Sequence, residues 1–104
     1  MSFKEIQKEI DDLMQQFTVP YWKPHEILAR ITEEVGELAR EINHVFGPKK
    51  KKSTEENKEI ADEMMDIIFS LTCLANSQGV DLDEAFERMM KKYKERDKDR
   101  WEKK

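Results

Sequence analysis

MMDIIFSLTCLA, residues 64–75, is apolar almost all the way round a helical wheel, yet an aspartate stands near its start. A helix of this kind in a water-soluble chain is covered on several sides, so the segment points to a helical bundle. At about 100° per residue, Glu59, Glu63, Asp66 and Ser70 share one narrow stripe through that apolar cylinder. A carboxylate placed there should be paired or should coordinate a metal, because burying it alone is very costly.

Working outward, three further helical patterns emerge and no credible strand. The helix carrying residues 64–75 opens at Ser53 with Glu56 three residues on, a capping box, and runs to about Ser77, where Gly79 stops it. Asp81 with Glu84 opens the last helix in the same arrangement, burying Leu82, Phe86, Met89, Met90 and Tyr93 before the chain turns strongly charged. Ser2 with Glu5 opens the first helix, whose apolar residues Phe3, Ile6, Ile10, Leu13, Met14 and Phe17 recur at helical spacing. After the loop 18–23, with its exposed-looking Tyr21-Trp22 pair, Pro24 suits the first position of the second helix. That helix carries Leu28, Ile31, Val35, Leu38, Ile42 and Val45 as a bundle seam and ends near Asn43-His44. The basic run 49–52 reads as a solvated linker, with a phosphate-attracting lip as the alternative.

The expected fold is therefore all-α, a four-helix bundle-like single domain over residues 1–104. Because the third helix is apolar on too many faces for so small a monomer to cover, we expect a homo-oligomer, a dimer or a dimer of dimers. Charged residues (40%) outnumber apolar ones (38%), but the apolar positions are periodic, which separates the chain from disordered sequences. A net charge of −4 argues against nucleic acid as partner. Cys73 stands alone in an apolar run, so no internal disulfide is expected, and one cysteine with the distant His25 and His44 cannot build a structural zinc site. With no signal peptide and no span long enough for a bilayer, the expected location is cytoplasmic, without a membrane partner.

A second stretch, ITEEVGELARE (31–41), crowds carboxylates where surface helices usually alternate Glu with Lys or Arg. Glu34 and Glu37 stand one turn apart on the second helix, as Glu63 and Asp66 do on the third. Helices joined by a short linker usually pack antiparallel, so the pairs can converge. Four converging carboxylates suit Mg²⁺ or Mn²⁺, which prefer oxygen ligands. A di-iron bundle would want Glu-x-x-His on two helices, and neither acidic pair contains a histidine. The plain alternative is ordinary ion pairing of Glu34 and Glu37 with Arg30 and Arg40, and of Asp66 with a basic residue from the fourth helix.

EEVGE (33–37), then DEMMD (62–66) followed by IIFSLTCLANSQGVDLDEAFERMM (67–90), resembles the MazG-like family of all-α nucleoside triphosphate pyrophosphohydrolases. INH (42–44), the Lys-rich linker and RDKDRW (96–101) are similar to its small stand-alone bacterial members, and the likeness runs from about Trp22 to Trp101. The resemblance implies cleavage of an NTP or dNTP between the α- and β-phosphates, giving a nucleoside monophosphate and pyrophosphate. It implies Mg²⁺, with Mn²⁺ as substitute, held by Glu34, Glu37, Glu63 and Asp66. Glu33 then lies near a second metal or in the outer shell and orients or deprotonates the attacking water, Lys92 and Arg96 meet the phosphates, and Trp22 is either a base-stacking platform or a plain core anchor. One departure stands out. The slot between Lys92 and Arg96, where many relatives place an Asn, holds Tyr93. A different class of function, a non-catalytic helical dimer that binds nucleotide or a protein partner, keeps the same scaffold.

Overall fold

The computed structural model describes residues 1–48 and 56–104, and these form four helices with no strand among the described residues. They are α1 (Phe3–Met14), α2 (Pro24–Phe46), α3 (Glu56–Ser77) and α4 (Leu82–Arg96). The all-α, four-helix expectation holds. The expected Ser53 capping box and the basic run 49–52 lie outside the described residues.

Local chemistry sets most boundaries. Ser2 Oγ accepts the Glu5 N–H at 3.1 Å while Glu5 Oε1 accepts the Ser2 N–H at 3.0 Å, a complete capping box. Two more unsatisfied donors of that first turn, Phe3 N–H and Lys4 N–H, reach the Asp83 carboxylate of α4 at 3.1 Å each. Pro24 occupies the first turn of α2, and Glu26 Oε1 accepts the Lys23 N–H at 3.0 Å. This helix runs on to Phe46, past the expected end near His44, and stops where Pro48 disfavours helical geometry at Gly47. Gly79 ends α3 at φ +66°, and the Val80 N–H returns to the Ala75 carbonyl at 2.9 Å. Asp81 Oδ1 accepts the N–H groups of Asp83 (2.9 Å) and Glu84 (3.2 Å), so α4 has its N-cap without the reciprocal arm expected from Glu84.

The principal packing is α2 on α3, with α1 on α3 and α4 chiefly on α1. Ile27 shares a cavity with Cys73, and Glu37 a cluster with Glu63, so α2 and α3 run antiparallel. The α2 seam differs from its expectation. The inward line is Ile27, Ile31, Glu34, Leu38, Glu41 and Val45, buried or half-buried, and it contains two carboxylates. Leu28 (59%), Val35 (49%) and Ile42 (39%) form a separate exposed line, spaced seven residues apart. Met64, Met65, Ile68 and Leu71 of α3 are exposed likewise.

Among the described residues the buried apolar set is therefore small: Ile27, Cys73 and Ala75. The radius of gyration is 17.2 Å, against about 13 Å for a compact chain of this length. No helix among the described residues is long and apolar enough to cross a membrane.

Candidate metal centre

Where α2 crosses α3, Glu34, Glu37 and Glu63 each bring a carboxylate oxygen within 4.8 Å of the others. One-turn spacing puts Glu34 and Glu37 on the same side of α2, and the antiparallel register sets Glu63 against them. Glu34 is 1% exposed, the most deeply buried large side chain among the described residues, while Glu37 stays open to solvent. Desolvation, reinforced by Glu37 and then Glu34, raises the Glu63 carboxyl from its ordinary range to about 7. Glu34 Oε2 and Glu63 Oε2 are buried and meet no hydrogen-bond donor among the described residues. Buried carboxylate oxygens without donors, gathered from two helices and reachable through Glu37, fit a hard divalent cation.

Part of the ion-pairing alternative also holds. Arg30 Nη2 lies 2.5 Å from Glu34 Oε1, and Arg30 Nη1 lies 3.5 Å from Glu33 Oε2. One guanidinium thus serves one oxygen of Glu34 and leaves the other.

Asp66 does not join the trio. It is exposed rather than enclosed, although it shares a helical stripe with half-buried Glu63 and buried Ser70. It lines a cavity of about 350 Å³ beside the cluster, together with Glu34, Arg30, Tyr21, Trp22 and Phe69. Trp22, 59% exposed, stands at this cavity as a wall. Glu33 is on the outer side of α2, held by Arg30. Lys92 and Arg96 are not among the cavity-lining residues. Both lie against the Tyr93 ring on α4, 5.6 Å and 4.4 Å from its centroid, and Arg96 also pairs with Asp97.

Sequence reading missed how the cavity wall is held. Tyr21, expected exposed, is half-buried; its hydroxyl donates to Asp11 Oδ1 at 2.5 Å and accepts from Asn76 Nδ2 at 3.1 Å. Burial and Asp11 push the Tyr21 phenol up to about 12. Asn76 and Gln7 then join α3 to α1 through paired amide bonds of 3.0 Å. The available signal was polar: Asn76 interrupts the apolar end of α3.

Antiparallel helices that gather carboxylates beside an aromatic cavity place the chain among all-α proteins with an acidic cluster next to a candidate ligand site. Residues 23–101 match the model of the MazG nucleotide pyrophosphohydrolase domain. YpjD of Bacillus subtilis (strain 168) is 50% identical over 103 residues, covering 99% of this chain and 93% of that protein. The crystal structure of YPJD from Bacillus subtilis superposes with a TM-score of 0.83 at 47% identity, over 89% of this chain and 95% of that one. A crystal structure of the Bacillus-conserved MazG protein, a nucleotide pyrophosphohydrolase, has a TM-score of 0.81 at 42% identity, over 96% and 97%. This chain belongs to the MazG nucleotide pyrophosphohydrolase family.

Proposed function

We propose that residues 1–104 form one metal-dependent hydrolase domain cleaving a nucleoside or deoxynucleoside triphosphate between the α- and β-phosphates, a task in nucleotide-pool housekeeping in the cytoplasm. The observation that carries this reading is the pair of buried, donorless oxygens of Glu34 and Glu63 beside Glu37. Glu34, Glu37 and Glu63 would hold Mg²⁺ or Mn²⁺, with Asp66 joining from the cavity side. Bound there, the cation offsets negative charge developing on the phosphate oxygens. Glu33, outside the trio, is the group proposed to orient the attacking water. Trp22, with Tyr21 and Phe69, offers aromatic surface on which a base can stack.

The same reading includes self-association. The chain exposes 8634 Å², whereas a compact monomer of 12.5 kDa exposes roughly 6,200 Å². An excess on the order of 2,400 Å² per chain is what an obligate homodimer covers. The exposed line Leu28, Val35 and Ile42 and the Met64, Ile68 and Leu71 side of α3 are its proposed contact surfaces. Lys92 and Arg96 meet phosphate in this scheme only if assembly brings an α4 to the cavity.

The test is incubation with a panel of NTPs and dNTPs plus Mg²⁺, with an assay for pyrophosphate. Monophosphate and pyrophosphate are the expected products. Orthophosphate with a diphosphate would put the cleaved bond one position out, and no turnover across the panel would favour a non-catalytic helical dimer that binds nucleotide or a protein partner.

A further inference from the structure

Glu34 divides its two oxygens between unlike surroundings. Oε1 receives the Arg30 guanidinium at 2.5 Å, whereas Oε2 is buried and meets no donor. We propose that Arg30 is a positioning residue of the metal centre: by occupying Oε1 it fixes the Glu34 carboxylate so that Oε2 is presented to the cation. The inference rests on the metal-centre reading above.

Three features of Arg30 suit that task. It lies one turn before Glu34 on α2, so the contact needs no other element to form. Its second terminal nitrogen is 3.5 Å from Glu33 Oε2, so carboxylates on two sides restrain the guanidinium plane. A planar fork transmits orientation in a way a point charge such as Lys does not. Outer partners of this type keep a ligand in its productive direction in metal sites generally.

Charge alone predicts the opposite outcome, which makes the idea testable by sign. Removing a cation close to a metal site should tighten metal binding if only the field matters. Removing a positioning group should weaken it. The probe is Mn²⁺ alone, titrated by calorimetry without nucleotide into the parent, Arg30→Gln, Arg30→Lys and Arg40→Gln. Arg40→Gln deletes an equal charge from the same helix and controls for the field. The expected result is Mn²⁺ binding weakened about tenfold in Arg30→Gln, partly restored in Arg30→Lys, and unchanged or tighter in Arg40→Gln. Mn²⁺ binding by Arg30→Gln as tight as the parent's, or tighter, overturns the inference while leaving the metal centre standing. A parent that binds no Mn²⁺ overturns both. If Arg30→Gln fails to fold, the parent decides through nitrogen-15 spectra: the Arg30 Nη–H signals, whose nitrogens face Glu34 and Glu33, should stay slowed in exchange and rotation at saturating Mg²⁺, and their averaging to those of a free guanidinium would overturn the proposal.

Discussion

At the scale of single residues, Glu63 makes the site sensitive to pH. Its carboxyl is raised to about 7, chiefly by desolvation and then by Glu37 and Glu34. A group held above its unfolded value contributes stability at low pH and loses it as pH rises through the folded value. The metal-free protein should therefore melt at lower temperature at pH 8 than at pH 5.5, and Glu63→Gln should flatten that slope. Melts at the two pH values, without and with Mg²⁺, check this; under the metal-centre reading the cation also removes the slope in the parent. Asp66→Asn separates site from scaffold. Asp66 is exposed, so the metal-free variant should stay within about 0.5 kcal/mol of the parent. It should nonetheless lose Mg²⁺-dependent turnover, and a strongly destabilised variant would show a structural pairing instead. The Glu34, Glu37 and Glu63 convergence was legible in the sequence because one-turn spacing is a local property. Only the burial expected of Asp66 fails, because apolar neighbours along a helix do not reveal which of its sides another element covers.

Elements were legible where the backbone chemistry is local, and less so where packing decides. The capping box at Ser2, Pro24 at the start of α2 and Gly79 at the end of α3 each act within a few residues, and each stands where expected. The α2 seam was harder. Its inward line carries Glu34 and Glu41, so apolar periodicity alone points partly to the outward line of Leu28, Val35 and Ile42. The joint between α1 and α3 rests on polar atoms that no periodicity displays. Asn76 serves Gln7 twice and Tyr21 once. Asn76→Ala should remove two bonds to Gln7 and one to Tyr21, leave the Gln7 amide held only by Val80 and Leu82 among the described residues, and loosen α1, costing about 1–3 kcal/mol. Chemical denaturation reads the loss, and hydrogen exchange should show α1 opening ahead of α2 and α3.

For the molecule as a whole, the small buried set among the described residues and the expanded radius tie folding to assembly under the homodimer reading. Under the homodimer reading, Val35→Glu should produce an unfolded chain rather than a stable monomer, seen by sedimentation together with circular dichroism. A folded monomer from either parent or variant at micromolar concentration would contradict it. The ties of α1 carry a further consequence, one of timing. The Phe3 N–H finds Asp83 eighty residues downstream, and Gln7 finds Asn76 sixty-nine downstream. On a ribosome adding roughly 5–20 residues per second, α1 waits on the order of 4–16 s before those partners exist. Twelve residues are too few to hold a helix in water alone, so the N-terminal segment emerges as an open amphipathic tail. α1 is thereby made well before the partners that secure it, and a nascent-chain chaperone would meet it unpartnered.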